Sequence, residues 1–311
     1  MPKKRVLLIS DVPGWAFCIQ MHDLEAKLSG RFDFTHWYVV SWKGVAQNLP
    51  DFASFDAVFC LYHRWNLEPH LPWDKTLGTL RAQWLYPETP RSPAESDIAL
   101  VNRYRAFHFV TQANYDEYYP FCPRSVLLTN PVEVSRFTQT PVTDRVIASW
   151  NGNAMHAGKP VVKGFYGIVQ PACVRAGVEL RFAEFNTCRK APSEMPEFYR
   201  QANLALCASL YEGASSSVME AMASGLAVLA TDVGNHRAMH ESMLAHYGES
   251  GILLVNRNLR DFTAALAALK ADPERVVRMG KLNRAEINRA WSWDVWAEPF
   301  ARFLSTPWEG E

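Results

Sequence analysis

The chain has 311 residues, 48% hydrophobic and 21% charged, a globular composition too long for one ordinary core and suited to two domains of roughly 150 residues each. Its 32 basic and 32 acidic side chains cancel, and each half, divided near residue 140, is neutral as well. No half carries the basic field of a nucleic-acid binder, which sets that partner class aside and leaves weak peripheral contact as the only membrane association expected.

In chain order, the basic start Met1–Arg5 is followed by Val6–Ser10, too short an apolar run for a signal-peptide core. Arg5–Ser10 reads instead as a strand buried on both faces of a parallel sheet. After the turn at Asp11–Gly14, helical spacing predicts a helix over Trp15–Leu28, with Phe17, Met21, Leu24 and Leu28 on one face. Phe34–Val40 and Ala57–Tyr62 read as strands. Trp84–Tyr86, Phe107–Thr111 and Ser125–Leu128 are shorter ones, interleaved with helical stretches such as Asp97–Tyr104. Strands alternating with helices predict a doubly wound α/β domain.

Thr138–Asp144, with Pro141 and no periodicity, reads as a linker. A second series follows, with strands at Arg145–Ser149, Val178–Glu184, Leu204–Cys207, Ala227–Ala230 and Gly251–Val255. Helices are expected at Phe165–Ala176, Met195–Gln201, Ser217–Ala223, Leu259–Leu269 and Pro273–Ala290. The aromatic tail Trp291–Leu304 has helical spacing and reads as core. No apolar run approaches the ~18 residues of a membrane span. The six cysteines (Cys18, Cys60, Cys122, Cys173, Cys188 and Cys207) show neither CxxC nor zinc-ligand spacing. They read as the reduced thiols of a cytoplasmic protein.

The chemistry concentrates in Ser209–Glu220, between a buried strand and a helix. Glu212 falls in the loop at the sheet's carboxyl edge, where open α/β sheets bind ligands. Gly213 and the serines permit a tight turn, and the free amides of the following helix start make an anion site suited to a diphosphate. Glu220, one or two turns into that helix, can accept two hydrogen bonds from a vicinal diol such as a ribose. A second reading stands beside it: Ser217-x-x-Glu220 is also a capping box serving the helix's own amides.

Glu212 and Glu220, followed by Ala221-Met222-Ala223-Ser224-Gly225-Leu226-Ala227-Val228-Leu229-Ala230-Thr231, resemble the EGxxxxxxEAMAxGxPVxAT pattern of the retaining GT-B glycosyltransferases of family 4, the glycosyl transferases group 1. Thr129–Phe137, Lys163-Gly164, Ser250–Val255 and Ala290–Trp293 resemble that family's smaller motifs. The resemblance covers residues 125–305 well and the first 120 in outline. It implies two Rossmann-like doubly wound domains facing a central cleft. Residues 1–140 would form the acceptor side, with the tail 292–311 packed back on it, and residues 141–291 would bind the donor.

The resemblance also implies roles. Glu212 would contact the donor sugar near the reacting carbon, and Lys163 would neutralise the departing diphosphate. Glu220 would hold the ribose, while amides from Gly213 through Ala214, Ser215 and Ser216 to Ser217 meet sugar or phosphate. The family's usual Gly-Arg is missing here, since Gly152 is followed by Asn153. Asn153 and Lys159 therefore join the donor-side candidates, and Lys159 rivals Lys163 for the diphosphate. On the acceptor side stand Gly14, Trp15 (a stacking platform or simple packing), His63 (cleft lining or structural) and Glu88. His236 reads as either a donor contact or a solvated helix start.

The implied enzyme is a metal-independent, retaining, hexosyltransferase-type glycosyltransferase. It would use a nucleotide-sugar donor, a glycan, lipid-linked or small-molecule acceptor, and no resident cofactor. Its alternatives are a non-catalytic sugar-nucleotide-binding module, or an epimerase or phosphorylase on the same fold.

Overall fold

The computed structural model describes the whole chain except residues 1, 12, 15, 40–48, 62–66, 81–94, 140–143 and 308–311, and the side chains of residues 80 and 157. The chain folds into two compact units, one built on the elements up to Asn130 together with the segment that starts at Trp293, the other on Pro131–Ser292.

In the first unit, β1 (Lys4–Ser10), β2 (Phe32–Tyr38), β3 (Ala57–Cys60), β4 (Thr76–Leu80), β5 (Ala106–Phe109) and β6 (Ser125–Leu127) form a parallel sheet in the order β2-β1-β3-β4-β5-β6. Its helices are α1 (Ala16–Leu28), α2 (Glu95–Val101), α3 (Gln112–Tyr118) and, from the chain's end, α10 (Trp293–Leu304). The continuous apolar run of β1 follows from its central position. Val6 and Leu8 join one core layer with Met21, Phe59, Trp293 and Phe300, while Leu7 and Ile9 join the opposite layer with Val58, Tyr104 and Phe109. A strand covered on both faces has no polar side to show.

In the second unit, β7 (Ile147–Gly152), β8 (Glu179–Glu184), β9 (Leu204–Cys207), β10 (Ala227–Ala230) and β11 (Ile252–Leu254) form a parallel sheet in the order β11-β10-β9-β7-β8. The helices are α4 (Gln170–Ala176), α5 (Met195–Tyr199), α6 (Ser216–Ala223), α7 (His236–Tyr247), α8 (Leu259–Ala271) and α9 (Pro273–Glu286). The chain winds from β7 to β8 on one side and then to β9 on the other, so the strand order reverses between β7 and β9. That reversal opens a crevice at their carboxyl ends.

Both units are doubly wound α/β structures, as the alternating pattern predicts. Two elements, β4 and α3, stand outside the expected series, and the strand expected at Trp84–Tyr86 lies outside the described residues. Gly78 explains β4: a Cβ built there would meet the Phe107 ring at 2.6 Å and the Tyr104 ring at 2.7 Å. The glycine that looks like a strand breaker in the sequence is what lets two aromatic rings cover the strand. Among the described residues no helix is long and apolar enough to cross a membrane.

Candidate active site

β9 is buried throughout, and the chain leaves its carboxyl end through Ala208 and Ser209, both still buried. Three contacts fix this exit. Thr231 Oγ1 donates to the Ser209 carbonyl at 2.7 Å, the Leu210 amide donates to the Val162 carbonyl at 2.8 Å, and Arg257 Nε donates to the Ala208 carbonyl at 2.9 Å. The neighbouring turn fits against it because Gly164 has φ +66°. A Cβ there would lie 2.5 Å from the Ala208 carbonyl oxygen. Lys163, one residue earlier, is thereby brought over the carboxyl end of β9.

There it meets Glu212. Lys163 Nζ donates to Glu212 Oε1 at 2.5 Å, and Ser209 Oγ donates to the same oxygen at 2.7 Å. The side chains are 21% and 14% exposed, so the pair is shielded yet reachable. Burial by itself pushes the Glu212 carboxyl up. The Lys163 ammonium and the two hydrogen bonds outweigh it and hold the carboxyl below its ordinary value. Burial likewise opposes the Lys163 charge, and the Glu212 carboxylate reverses that and raises the ammonium above its ordinary value. Glu212 is therefore a carboxylate, able to accept hydrogen bonds and to stabilise positive charge, and not a proton donor at neutral pH.

The next turn is clamped by the far end of the same motif. The Asn235 amide donates to the Gly213 carbonyl at 3.1 Å. Gly234, at φ +59°, lies so close that an added Cβ would sit 2.1 Å from that carbonyl oxygen. The Ser215 amide donates to Asn235 Oδ1 at 3.2 Å, and the Ser215 hydroxyl lies 2.8 Å from His236 Nε2. His236 is completely buried, with Nδ1 2.8 Å from the Thr231 carbonyl. A carbonyl only accepts, so Nδ1 carries the proton and Nε2 accepts from Ser215. Burial, the largest influence, pulls the imidazole below its ordinary value and keeps it neutral, as this arrangement needs. His236 does start α7, but it is buried where the sequence reading allowed a solvated helix start, and both ring nitrogens have partners within these loops.

Helix α6 begins at Ser216 with Ser215 as its cap, and no side chain caps it. The capping-box alternative is thus not realised. Its first three amides, Ser216–Val218, have no acceptor within the helix, because the first intrahelical bond runs from the Met219 amide to the Ser215 carbonyl at 3.0 Å. The Glu220 carboxylate is held instead by Tyr199, whose fully buried phenol donates to Oε2 at 2.9 Å. Asn151 and the Ser217 carbonyl each lie 3.2 Å from the same hydroxyl. Burial, then the Glu220 charge, push the Tyr199 phenol well above its ordinary value, so it remains a donor.

The structure thus brings Lys163, Glu212 and Ser209 together, and Glu220 with Tyr199 and Asn151. Asn153 braces its own loop, accepting from the Met155 amide at 2.9 Å and from Asn186 Nδ2 at 3.3 Å. Lys159 is exposed, and Ala214 is buried. His156 lies within reach of the pair's field: burial first, then the Lys163 charge, lower its imidazole, with Glu212 acting against them. On the acceptor side Gly14 is half-buried with φ +79°. Trp15, His63 and Glu88 lie outside the described residues. Sequence reasoning missed Ser209, Tyr199 and Asn151. Tyr199 is separated from Glu220 by an entire strand and loop, and no local spacing could pair them.

Residues 185–286 match the family described as "Glycosyl transferases group 1". The D-inositol 3-phosphate glycosyltransferase of Gordonia bronchialis is 33% identical over 105 residues, which is 34% of this chain and 22% of that protein. The enzyme of the same name from Nocardia farcinica is 32% identical over 147 residues, 46% of this chain and 31% of that protein. The matches therefore span less than a third of these relatives' own length. Among solved structures, sucrose-phosphate synthase from Thermosynechococcus elongatus is similar with TM-score 0.73 at 13% identity, covering 97% of this chain and 98% of that one. Anabaena HepE in complex with UDP-glucose is similar with TM-score 0.71 at 12% identity, covering 97% of this chain and all of that one, given as 100%. The fold is GT-B. Within its second unit, residues 185–286 are similar to the glycosyl transferases group 1 family.

Proposed function

We propose that the protein transfers a glycosyl group from a nucleotide-sugar donor to an acceptor hydroxyl, with retention of anomeric configuration. The observation that carries this reading is the Lys163–Glu212 pair at the carboxyl edge where the strand order reverses. Beside it are the open amides of α6 and the carboxylate of Glu220. The HepE structure named above holds a donor of this class, UDP-glucose.

In the proposed reaction the acceptor oxygen bonds to the anomeric carbon as the bond from that carbon to the diphosphate breaks. The acceptor proton leaves with the diphosphate, on the face from which the acceptor attacks. Lys163 and the α6 amides meet the charge that grows on the leaving group. The Glu212 carboxylate accepts from the sugar hydroxyls and stabilises positive charge near the anomeric carbon. Glu220, oriented by Tyr199, accepts from the ribose. The reading assigns no step to a divalent ion or to a resident cofactor. The acceptor is a glycan, a lipid-linked sugar or a small polyol. The compartment is the cytoplasm, which suits cysteines that are all free.

A thermal-shift screen with UDP-, GDP-, ADP- and dTDP-sugars tests the donor site. At one hundred times its dissociation constant the correct donor adds ~2.7 kcal/mol of stability. No shift with any of them defeats the reading. With the donor identified, Glu220→Gln is expected to weaken its binding about tenfold, the loss of roughly one charged hydrogen bond. Glu212→Gln is expected to leave donor affinity nearly unchanged and to slow transfer by about 10²-fold. Donor that binds but is neither transferred nor slowly hydrolysed would instead make this a binding module.

A further inference from the structure

Away from the donor-binding residues, the first unit holds a cluster that the sequence spacing did not reveal. His22 and Glu25 stand three residues apart on α1, which puts them on one face of that helix. His36 and Tyr38 stand two residues apart on β2, which puts them on one face of the strand. β2 is the outermost strand of its sheet. His36 Nε2 lies 3.2 Å from Glu25 Oε2, and His22 Nδ1 lies 4.0 Å from the same oxygen. One ligand atom from each of the three residues falls within 4.8 Å of the other two. The imidazole rings lie with centroids 4.6 Å apart and their planes tilted by 45°.

The second observation is independent of that convergence. The Tyr38 hydroxyl touches the outward nitrogen of both rings, at 3.4 Å from His22 Nε2 and 3.5 Å from His36 Nδ1. It also lies 3.6 Å from Cys18 Sγ. A phenol oxygen can accept from two N–H groups while its own hydrogen points to the sulfur. Both imidazoles then carry their protons on the outer nitrogens and turn lone pairs inward, toward a carboxylate oxygen that is also an acceptor. His36 Nε2 is buried and, among the described residues, makes no well-aligned hydrogen bond, although the Glu25 oxygen lies 3.2 Å away and its charge acts on the imidazole. With the protons on the outer nitrogens, three acceptors face one point, and a cation between them satisfies all three. An oriented outer N–H is also the support that metal-binding histidines ordinarily have.

The geometry points to a divalent transition-metal site of the zinc class, with His22 Nδ1, Glu25 Oε2 and His36 Nε2 as ligands and Tyr38 positioning both rings. Two imidazoles and one carboxylate suit zinc, whereas magnesium and calcium prefer oxygen alone. Tetrahedral bonds of about 2.0–2.1 Å place neighbouring ligand atoms about 3.4 Å apart. His36 and Glu25 already stand at 3.2 Å, and His22, whose side chain is 54% exposed, is free to close the remaining gap. Water fills the fourth position. Bound there, the ion ties α1 to β2, the outermost strand of the sheet among the described residues.

The test uses the full chain, stripped with chelator and titrated calorimetrically with Zn²⁺ at neutral pH. One equivalent is expected to bind and to raise the melting temperature, while Mg²⁺ does neither. His36→Gln and Glu25→Gln should each weaken binding at least tenfold, with unchanged melting of the metal-free protein as the folding control. Tyr38→Phe should weaken it ~10- to 100-fold while leaving every ligand in place. Absence of stoichiometric binding overturns the site, as does Zn²⁺ binding that both glutamine variants leave intact. Unchanged affinity in the Tyr38→Phe protein overturns the assignment of the inward nitrogens.

Discussion

Glu212 sits where burial alone would neutralise it, yet the Lys163 ammonium and the Ser209 hydroxyl keep it ionised. His236, beyond α6 and β10 in the chain, is held neutral by burial against the attraction of Glu212 and Asp232. The two groups have the same pH signature. Each has its folded-state pKa below its unfolded value, so the unfolded chain binds protons first as the pH falls. The stability each contributes is complete above the unfolded pKa, near 6.5 for His236 and 4.5 for Glu212, and is lost as the pH drops from there to the folded value. Replacing His236 by Asn keeps a donor toward the Thr231 carbonyl and removes the titration. The variant should be less stable at pH 8 by about 1–2 kcal/mol from its lost Ser215 contact. Between pH 6.5 and 5 it should lose less stability than the parent chain. Urea midpoints across that range decide the matter, and parallel curves would remove His236 from the account. The roles expected of Glu212 and Glu220 come from the resemblance that their motif carries. The neutral, inward-facing His236 is not legible there, because its two partners become neighbours only when the loops after β9 and β10 close on each other.

At the scale of elements, close backbone approaches decide which substitutions the second unit tolerates. Gly280 lies in the middle of α9, where alanine would ordinarily favour the helix by about 1 kcal/mol. A Cβ at this position, however, would stand 2.0 Å from the Gly225 carbonyl in the turn that leads into β10. Neither backbone can yield without moving its element, so the steric cost of about 1–3 kcal/mol outweighs the propensity gain. Gly280→Ala should therefore lower the melting temperature, and a rise would show that α9 can shift away from the turn. The same reasoning explains how the elements could be read. Long apolar runs such as β1 and β9 announce themselves, because burial on both faces leaves a local trace. β4 leaves none, since its fit depends on the Phe107 and Tyr104 rings brought to Gly78 from elsewhere in the chain. The start of α6 is legible to within one residue, but its capping is not. The cap position falls on Ser215 and not Ser217, and the Ser215 hydroxyl is engaged by His236.

For the molecule as a whole, the first unit is completed only by the last helix. Trp293 and Phe300 of α10 are buried in the same layer as Val6, Leu8 and Met21, and Trp293 Nε1 donates to the buried Asp23 at 3.3 Å. Lys27 and Asp294 add an ion pair at 2.7 Å on the exposed side, where such a pair adds little. Phe300→Ala should cost about 3–5 kcal/mol, the usual loss for a fully buried aromatic side chain. Hydrogen exchange should locate the loss in β1 and α1, and a loss below ~1 kcal/mol would mean that α10 is dispensable to that core. Two alternating α/β series, the central buried strands, and a Glu-x7-Glu motif at a strand's carboxyl edge can all be read from the order of residues. They are short-range properties, written in the burial period of a strand or the spacing within a single loop and helix. It takes the folded chain to pair Lys163 with Glu212, to hold Glu220 by Tyr199 rather than by a cap, and to bring His22, Glu25 and His36 together. Such contacts depend on where the crossovers set one element beside another, and residue spacing along the chain carries no record of that.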